Sequence, residues 1–379
     1  MAHMRSFFFR AFAIAACVAA SASFFQSAQA QEEALLPPPV SEVVRAEVRA
    51  VLEAFEETIP GTDTKQYVQI LSVELKEGAR KGDVVEVRND YIELKKGNRL
   101  FVIHDAPYGS ISTFYVQDVD RRMSLLVLTL VCVLFVVALG GWYGARALIS
   151  LSASLLLLWY VLIPGLASGW DPLLACFGVA STMLAGMIFF THGPNRESLV
   201  ALSGTLIAVV GTLFIAQWAV SASFISGFGM DASVYLNFNT SGSIDLIGLL
   251  IGGIVIGALG VLDDMAITQV AVVREIKRSA PHLPKKEVFL RAIQVGREHV
   301  GAVVNTLALA YVGVSLPLIL LFHFGKVSIG TFFNMEVIAI EVLRTVVGTM
   351  GIVMAVPIVT ALAVRYIHAP KSEVVNEGE

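Results

Sequence analysis

Charged side chains are scarce in this chain, and that scarcity excludes most soluble folds. Only 15% of the 379 residues are Asp, Glu, Lys or Arg, whereas 56% are hydrophobic and the mean hydropathy is +0.72. A soluble globular domain has about 25% charged residues, so most of this chain is expected to lie in lipid. The sequence also has no basic arm or aromatic-interleaved basic patch, which excludes the common patterns of nucleic-acid binding.

Cysteine is almost as scarce, with three residues in the whole chain. Cys17 falls in the N-terminal leader, and Cys132 and Cys176 fall in apolar runs, so no pair is available to cross-link an exported domain. The sequence has no zinc-site spacing, no serine-nucleophile motif and no GxGD protease motif. We therefore predict no metal, no cofactor and no enzymatic activity.

The N-terminus has the organisation of a secretory signal peptide. "MAHM" at 1–4 resembles a cloning remnant, and Arg5 and Arg10 precede an apolar stretch that ends in "AQA" at 28–30. A basic start, an apolar stretch and a small-x-small site together predict cleavage after Ala30. Two alternatives stay open: "IAAC" at 14–17 loosely fits a lipoprotein-type site, and the stretch could persist as an uncleaved anchor.

A mixed, charged region separates the leader from the apolar part of the chain. Residues 31–40 form a Pro-rich linker, and residues 41–120 contain about five alternating runs separated by Gly, Asn, Asp and Pro turn signals. This pattern predicts a small antiparallel β-barrel, OB-like, outside the cytoplasm. It could be a structural cap or docking module, or it could bind a ligand.

The remaining chain is dominated by long apolar segments. About seven of them are long enough to cross about 30 Å of hydrocarbon as helices. We predict an all-α polytopic membrane helix bundle over residues 121–368, with a cytoplasmic tail at 369–379. The segments are centred on 124–141, 147–163, 172–191, 199–220, 244–270, 299–322 and 337–364.

Basic residues predict how this bundle is oriented. In an alternating topology most of them fall on one side, which is the cytoplasmic side by the positive-inside rule. The barrel then lies outside, the C-terminus lies inside, and the expected location is a bacterial cytoplasmic (inner) membrane. The residues concerned are Arg146, Arg196, Arg274, Lys277, Arg278, Lys285, Lys286, Arg291, Arg297, Arg365 and Lys371.

Two adjacent carboxylates, Asp263 and Asp264, interrupt one of the apolar segments. A carboxylate at the bilayer centre costs at least about 2.5–3.5 kcal/mol and must face protein or water, so it is commonly functional. Helical spacing places Thr268 on the same stripe as Asp264. We predict a proton or ion path here, although the pair could instead cap a broken helix or lie at the cytoplasmic interface.

The next span could supply partners for these carboxylates. His299, Asn305 and Thr306 fall in its first turns at a similar depth, and Asn305 is the first choice. In the last span, Glu341 and Arg344 are one turn apart and predict an intramembrane ion pair that neutralises both charges. That pair could be structural or could gate the path.

Glycine spacing predicts close helix packing next to the carboxylates. Gly248 with Gly252 and Gly253 with Gly257 form two small-xxx-small pairs. The spacing fits ordinary tight packing, and it also fits a helix that slides against a neighbour.

Several stretches resemble the YibE/F-like family of bacterial multipass membrane proteins. They are "KGDVVEVRN", "FYVQDVDRR", "GWYGARALISLSASL", "GVLDDMAITQVAVVREI", "GREHVGAVVNTLALAYVGVSLPL" and "GTMGIVMAVPIVTALAV". The resemblance implies a multipass membrane protein with a transport role. The last three spans also resemble the SecD/SecF protein-export family, and that resemblance implies that Asp264 takes the place of its proton-path aspartate.

Together these features predict a transporter-type membrane protein that is coupled to protons or ions through Asp263 and Asp264. The alternative is a non-transporting envelope assembly or export accessory factor whose β domain binds a partner. Expected partners are the lipid bilayer and either a second copy of the chain or an envelope protein.

Overall fold

The computed structural model describes residues 41–105 and 113–367. The predicted signal peptide, the linker and the tail lie outside these described residues. The chain divides into two compact units, Met1–Phe135 and Val136–Glu379. Each unit has its own core.

The N-terminal unit contains a closed barrel of five strands, which confirms the predicted OB-like β domain. The strand order is β1-β2-β3-β5-β4. All neighbouring strands pair antiparallel except β3 and β5, which pair parallel at Arg88 and Tyr115. The strands are β1 (Ser41–Thr58), β2 (Lys65–Leu75), β3 (Val84–Asn89), β4 (Arg99–Asp105) and β5 (Thr113–Val119).

The parallel seam follows from the connection between β3 and β4. This connection contains Leu94, which is buried, and its backbone exchanges two hydrogen bonds with the side chain of Gln69. Asn89 donates to Gln69 Oε1 and to the carbonyl of Ile92, so these buried polar groups are satisfied. The chain then returns as the β4–β5 hairpin, and β5 closes the barrel against β3.

The first hairpin is longer than the barrel needs. Strand β1 pairs with β4 only over Ser41–Glu47, but its pairing with β2 continues to Thr58 and Lys65. Residues 51–65 are all exposed, and they include Leu52 and Phe55. This hairpin arm, residues 51–65, is therefore exposed on both faces.

The rest of the described chain is helical. Of its helices, six are long and apolar enough to cross a membrane when Arg122–Ala167 is counted as one. The helices are α1 (Arg122–Leu157), a π-helical turn (Leu158–Leu162), α2 (Ile163–Ala167), α3 (Pro172–His192), α4 (Arg196–Ala222), α5 (Asp231–Asn239), α6 (Leu246–Ser279), α7 (Lys285–Phe324), α8 (Ile329–Asn334) and α9 (Glu336–Tyr366).

The count of six differs from the predicted seven because the first two apolar segments fall in the one long stretch Arg122–Ala167. That stretch is not a straight helix. Gly141 has φ 53° and ψ −136°, and a Cβ placed on Gly144 would lie 2.5 Å from the carbonyl oxygen of Val136. Residues eight apart in a continuous helix are separated by about 12 Å along its axis. The chain therefore turns sharply at Gly141, and glycine is the residue that adopts such a conformation without strain.

The π-helical turn adds a second irregularity to the same stretch. A π turn is a single wide turn that carries an extra residue. Ser150 and Ser154 are buried before it, and Leu162 and Gly165 are buried within and after it. These four residues form the buried side of residues 142–167.

Four helices make up the packed centre of the bundle. Helices α4, α6 and α9 are about half buried along their apolar windows and α3 is less so, whereas α1 and α7 are almost wholly exposed. Small residues allow the close contacts: a Cβ on Gly204 would meet Val359, and a Cβ on Gly351 would meet Thr212. Helix α6 lies among the others and carries both aspartates.

Candidate ion-path site on α6 and α7

The position of the aspartates along α6 is measured from contacts at its C-terminal end. Arg274 donates to Glu197 of α4 at 2.7 Å. Lys277 Nζ donates to the carbonyls of Val364 and Ile367 at 2.6 and 2.7 Å. The N-terminal end of α4 and the C-terminal ends of α6 and α9 therefore lie at the same level. Asp264 lies ten residues before Arg274, which is about 15 Å along the axis.

Asp263 is partly buried between the helices. Its Oδ1 atom is buried and accepts no hydrogen bond from any described residue. Buried carboxylate oxygens are normally satisfied, so an exception needs an explanation such as a bound proton, cation or water. Asp263 Oδ1 is therefore a buried hydrogen-bond acceptor to which no described residue donates.

Asp264 points to a more open side of the same helix. Its side chain is 67% exposed, and its Oδ2 lies 3.8 Å from Nε2 of His299 on α7. That distance is too long for a hydrogen bond but short enough for an ionic contact when the imidazole is protonated. His299 is thus the α7 side chain that reaches the carboxylate.

The expected contact with Asn305 is not made. Asn305 is exposed, and within the described residues it forms no hydrogen bond with either aspartate. Val303 and Leu307 pack on the bundle core, and at 100° per residue Asn305 points to the opposite side of α7. Asn305 also lies six residues, about 9 Å along the axis, beyond His299, so both depth and rotation about α7 separate it from Asp264.

The two predicted threonines also lie apart from the carboxylate oxygens. Thr306 Oγ1 donates to the carbonyl of Ala302 in its own helix at 3.0 Å, so its proton is used locally. Thr268 is partly buried one turn after Asp264, on the same side of α6. Neither hydroxyl donates to Asp263 or Asp264 in the described structure.

Gln269 is a site residue that the sequence reasoning missed. It is buried, and its Nε2 donates to the carbonyl of Ala292 on α7 at 2.7 Å. A Cβ on Gly296 would lie 2.9 Å from Gln269 Oε1, so glycine leaves room for the amide. The signal was an uncharged amide in an apolar helix, five residues after Asp264. It ties α6 to α7 about 7.5 Å along the axis from Asp264.

Glu341 and Arg344 lie in contact on α9, as the spacing predicts. Arg344 Nη1 donates to Glu341 Oε1 at 2.7 Å, and both side chains are mostly buried. Glu341 Oε2 has no hydrogen-bond partner among the described residues. The Arg344 guanidinium lies 5.9 Å from the ring centre of Tyr311 on α7, within cation–π range.

The two glycine pairs of α6 differ in what they face. A Cβ on Gly252 would lie 2.5 Å from Cβ of Cys176, and one on Gly248 would lie 3.5 Å from the backbone nitrogen of Leu173, so this pair packs on α3. A Cβ on Gly253 would meet nothing within 4 Å. One on Gly257 would meet only the Tyr311 hydroxyl, at 3.3 Å. The second pair faces an open side.

The described part of the chain contains no cluster of metal-ligating side chains. Over residues 41–105 and 113–367, no three His, Cys, Asp or Glu side chains are grouped to hold a metal ion.

A protein-family model matches most of the helical part of the chain. The family model described as YibE/F-like protein matches residues 128–369, which cover the helices from α1 to α9. A search of curated proteins and a search of solved structures each found no match. The resemblance to SecD/SecF has no support from these comparisons, so no role passes to Asp264 from that family.

Proposed function

The chain belongs to the YibE/F-like family, and for this member we propose a proton- or ion-coupled membrane transporter that works through Asp263 and Asp264. The observation that carries the proposal is the buried, unpartnered Oδ1 of Asp263 beside a second carboxylate in an apolar helix. The family match by itself does not assign an activity to the chain.

Depth supports the proposal. The Arg274–Glu197 contact and the Lys277 contacts gather charges at one end of the bundle. At the other end, Asp245 caps the start of α6, about 28 Å before Asp264 along the axis. With a bilayer about 40–45 Å thick including headgroups, both aspartates lie inside the apolar slab. An ionisable group at that depth is commonly part of a pathway.

The chemistry of the site fits cation or proton exchange. Two adjacent carboxylates in a low dielectric repel each other, and a bound proton or cation relieves that repulsion. His299 offers a third titratable group beside Asp264. Gln269 holds α6 to α7 about 7.5 Å further along the helix axis than Asp264.

The proposal also includes the orientation of the protein in the membrane. The basic residues around the α6–α7 turn fit a cytoplasmic face, and the barrel fits the opposite side of a bacterial inner membrane.

The test compares the parent with Asp263→Asn/Asp264→Asn in proteoliposomes. Proton flux is followed with an entrapped pH dye after a pH jump, and Na⁺ or K⁺ gradients are run in parallel. We expect the double variant to lose most of the flux of the parent because both acceptors are neutral. Glu275→Gln is the matched control: it lies exposed near the end of the same helix and should keep the parent flux.

Two outcomes would contradict the proposal. One is a parent that moves ions no faster than empty liposomes, and the other is a double variant that equals the parent. The hairpin arm would then favour the accessory-factor function, because exposed apolar side chains such as Leu52 and Phe55 on an unsupported β-hairpin are typical of a surface that binds another protein.

A further inference from the structure

The outer wall of the barrel has a small pocket with charged walls. Glu47 on β1 and Arg99 on β4 are directly opposite each other in the strand register. Their neighbours Ala46 and Leu100 are buried in the barrel core, so the side chains of Glu47 and Arg99 project outwards. The pocket has a volume of about 210 Å³, below the range of about 300–1,000 Å³ for drug-sized ligands, so it suits a small group. Its lining residues are Arg45, Ala46, Glu47, Lys76, Arg99 and Asp120.

Arg99 and Glu47 keep unused hydrogen-bonding capacity in this pocket. Over residues 41–105 and 113–367, the exposed side chain of Arg99 forms no hydrogen bond or salt bridge. Glu47 Oε2 lies 3.3 Å from Lys76 Nζ, but no described residue donates to Glu47 Oε1. Lys76 is shared with Glu74, at 3.0 Å. The pocket therefore offers an unpaired guanidinium and a carboxylate oxygen to a ligand that carries both charges.

The pocket lies where the chain enters its first membrane-capable helix. The backbone nitrogen of Asp120 donates to the carbonyl of Arg99 at 2.9 Å, and α1 begins two residues later, at Arg122. Arg122 donates through Nε and Nη2 to the Asp120 carboxylate at 2.8 and 2.7 Å. Its guanidinium also lies 4.9 Å from the ring centre of Phe101 on β4. These contacts fix the start of α1 against the wall of the pocket.

This position corresponds to the headgroup layer of a bilayer. The hydrocarbon core is about 30 Å thick and the whole bilayer about 40–45 Å, so each headgroup layer is about 5–8 Å deep. The apolar run of α1 starts at Met123, only three residues after Asp120. The first turns of α1 also form a shallow apolar furrow, lined by Met123, Ser124, Val127, Leu128 and Val131. A polar pocket is thus followed along the chain by an apolar surface.

We propose that the pocket binds the headgroup of a phospholipid with a primary ammonium, phosphatidylethanolamine, from the leaflet that α1 enters at Arg122. The phosphate accepts from the Arg99 guanidinium, and the ammonium donates to Glu47. The acyl chains lie along the apolar turns of α1. The inference is independent of whether ions cross the protein.

The chemistry of the two free groups selects this headgroup over other phospholipids. A guanidinium fork matches two phosphate oxygens, which holds for any phospholipid. A primary ammonium has three N–H donors for a carboxylate, whereas the trimethylated ammonium of phosphatidylcholine has none. The headgroup of phosphatidylglycerol has no positive charge, so Glu47 would keep its charge uncompensated beside a second anion. Glu47 therefore sets the headgroup preference and Arg99 the affinity.

Lipid retention tests the pocket in full-length protein. The protein is stripped of lipid in detergent and mixed with equal amounts of phosphatidylethanolamine, phosphatidylcholine and phosphatidylglycerol, and bound lipid is counted by native mass spectrometry. We expect the parent to prefer phosphatidylethanolamine by about tenfold, the ratio that one hydrogen bond between charged groups provides. Equal retention of the three lipids by the parent would overturn the proposal.

Variants assign the retained lipid to the pocket. Arg99→Gln should lower retention of phosphatidylethanolamine about tenfold, and Arg99→Lys, which keeps the charge but not the fork, should lower it less. Arg88→Gln is the matched control: it removes the same charge from β3, at a residue outside the pocket that pairs with Glu57, and should retain lipid as the parent does. Equal retention by Arg99→Gln and Arg88→Gln would overturn the proposal.

Two further arms test the ammonium contact and the source of the headgroup. Glu47→Gln should still bind lipid but should lose the preference for phosphatidylethanolamine over phosphatidylcholine, and an unchanged preference would contradict the role of Glu47. Glycerophosphoethanolamine, which has the same headgroup without acyl chains, should not displace the bound lipid at equal concentration. Displacement as effective as that by intact lipid would identify a site for a soluble zwitterion and would overturn the lipid assignment.

Discussion

Single glycines on α6 have two different uses, and their neighbours distinguish them. Gly252 lets α3 approach, because any side chain there would overlap Cys176. Gly253, the next residue, faces open space. The sequence shows both small-xxx-small pairs with the same spacing, but spacing alone carries no information about which pair has a helix opposite it.

Gly252→Ala is therefore expected to destabilise the bundle. The new methyl group would displace Cys176, and such overpacking costs about 1–3 kcal/mol. Thermal unfolding in detergent, followed by tryptophan fluorescence, should show a lower Tm. Gly178→Ala on α3 is the control, because its Cβ would meet nothing within 4 Å and alanine favours the helix. A Tm for Gly252→Ala equal to that of the control would refute the packing role.

The aspartates and their neighbours show how far sequence reasoning reaches at this scale. Charge in an apolar run identified Asp263 and Asp264, and one-turn spacing identified the contact between Glu341 and Arg344. The sequence does not predict which face of α7 packs on the core or that His299 lies level with Asp264, and both facts separate Asn305 from the carboxylates. Gln269 was passed over because an uncharged amide stands out less than a carboxylate.

Among the secondary-structure elements, α9 depends on α6 at its end. The last carbonyls of a helix have no partner within that helix, and here Lys277 of α6 supplies one donor to Val364 and Ile367. A positive charge at this end also interacts favourably with the helix dipole. The C-terminal turn of α9 is thus held by a side chain from another helix.

Lys277→Met should loosen that turn while keeping the length of the side chain. We expect faster amide hydrogen exchange at residues 363–367 and a loss of about 1–2 kcal/mol of local stability. Arg278→Met is the comparison, since Arg278 is exposed and adjacent. If the amides of residues 363–367 exchange at the parent rate in both variants, the Lys277 hydrogen bonds do not stabilise the last turn of α9.

The elements themselves were largely predictable. Alternating runs between turn signals predicted all five strands, because a half-buried strand imposes a period of two. The parallel β3–β5 seam was not predictable, since it depends on how the connection through Leu94 crosses the barrel. Hydropathy windows likewise separated the two segments around Gly141 without showing that the structure joins them through one irregular helical stretch.

For the molecule as a whole, the turn at Gly141 decides the topology. If the chain crosses the membrane before and after it, Asp63 and Ser168 lie on the same side and there are seven spans. If residues 122–167 cross once, these two residues lie on opposite sides and there are six.

A membrane-impermeant maleimide distinguishes the two topologies. In a background without native cysteines, we expect Asp63→Cys and Ser168→Cys to be labelled from the outside, and Tyr143→Cys to be labelled only after permeabilisation. The physical reason is the sharp turn at Gly141, which makes a single straight crossing of residues 122–167 impossible. Labelling of Ser168→Cys only from the inside would establish six spans.

The π-helical turn at Leu158–Leu162 has a consequence for the stretch that contains it. Ser154 and Leu162 are eight residues apart, which in an uninterrupted α-helix sets them about 80° out of phase. With one residue absorbed by the wide turn, the offset falls to about 20°, and the two residues share the buried side. Deleting a single residue there would rotate everything upstream by about a quarter turn and would expose Ser150 and Ser154 in place of their apolar neighbours.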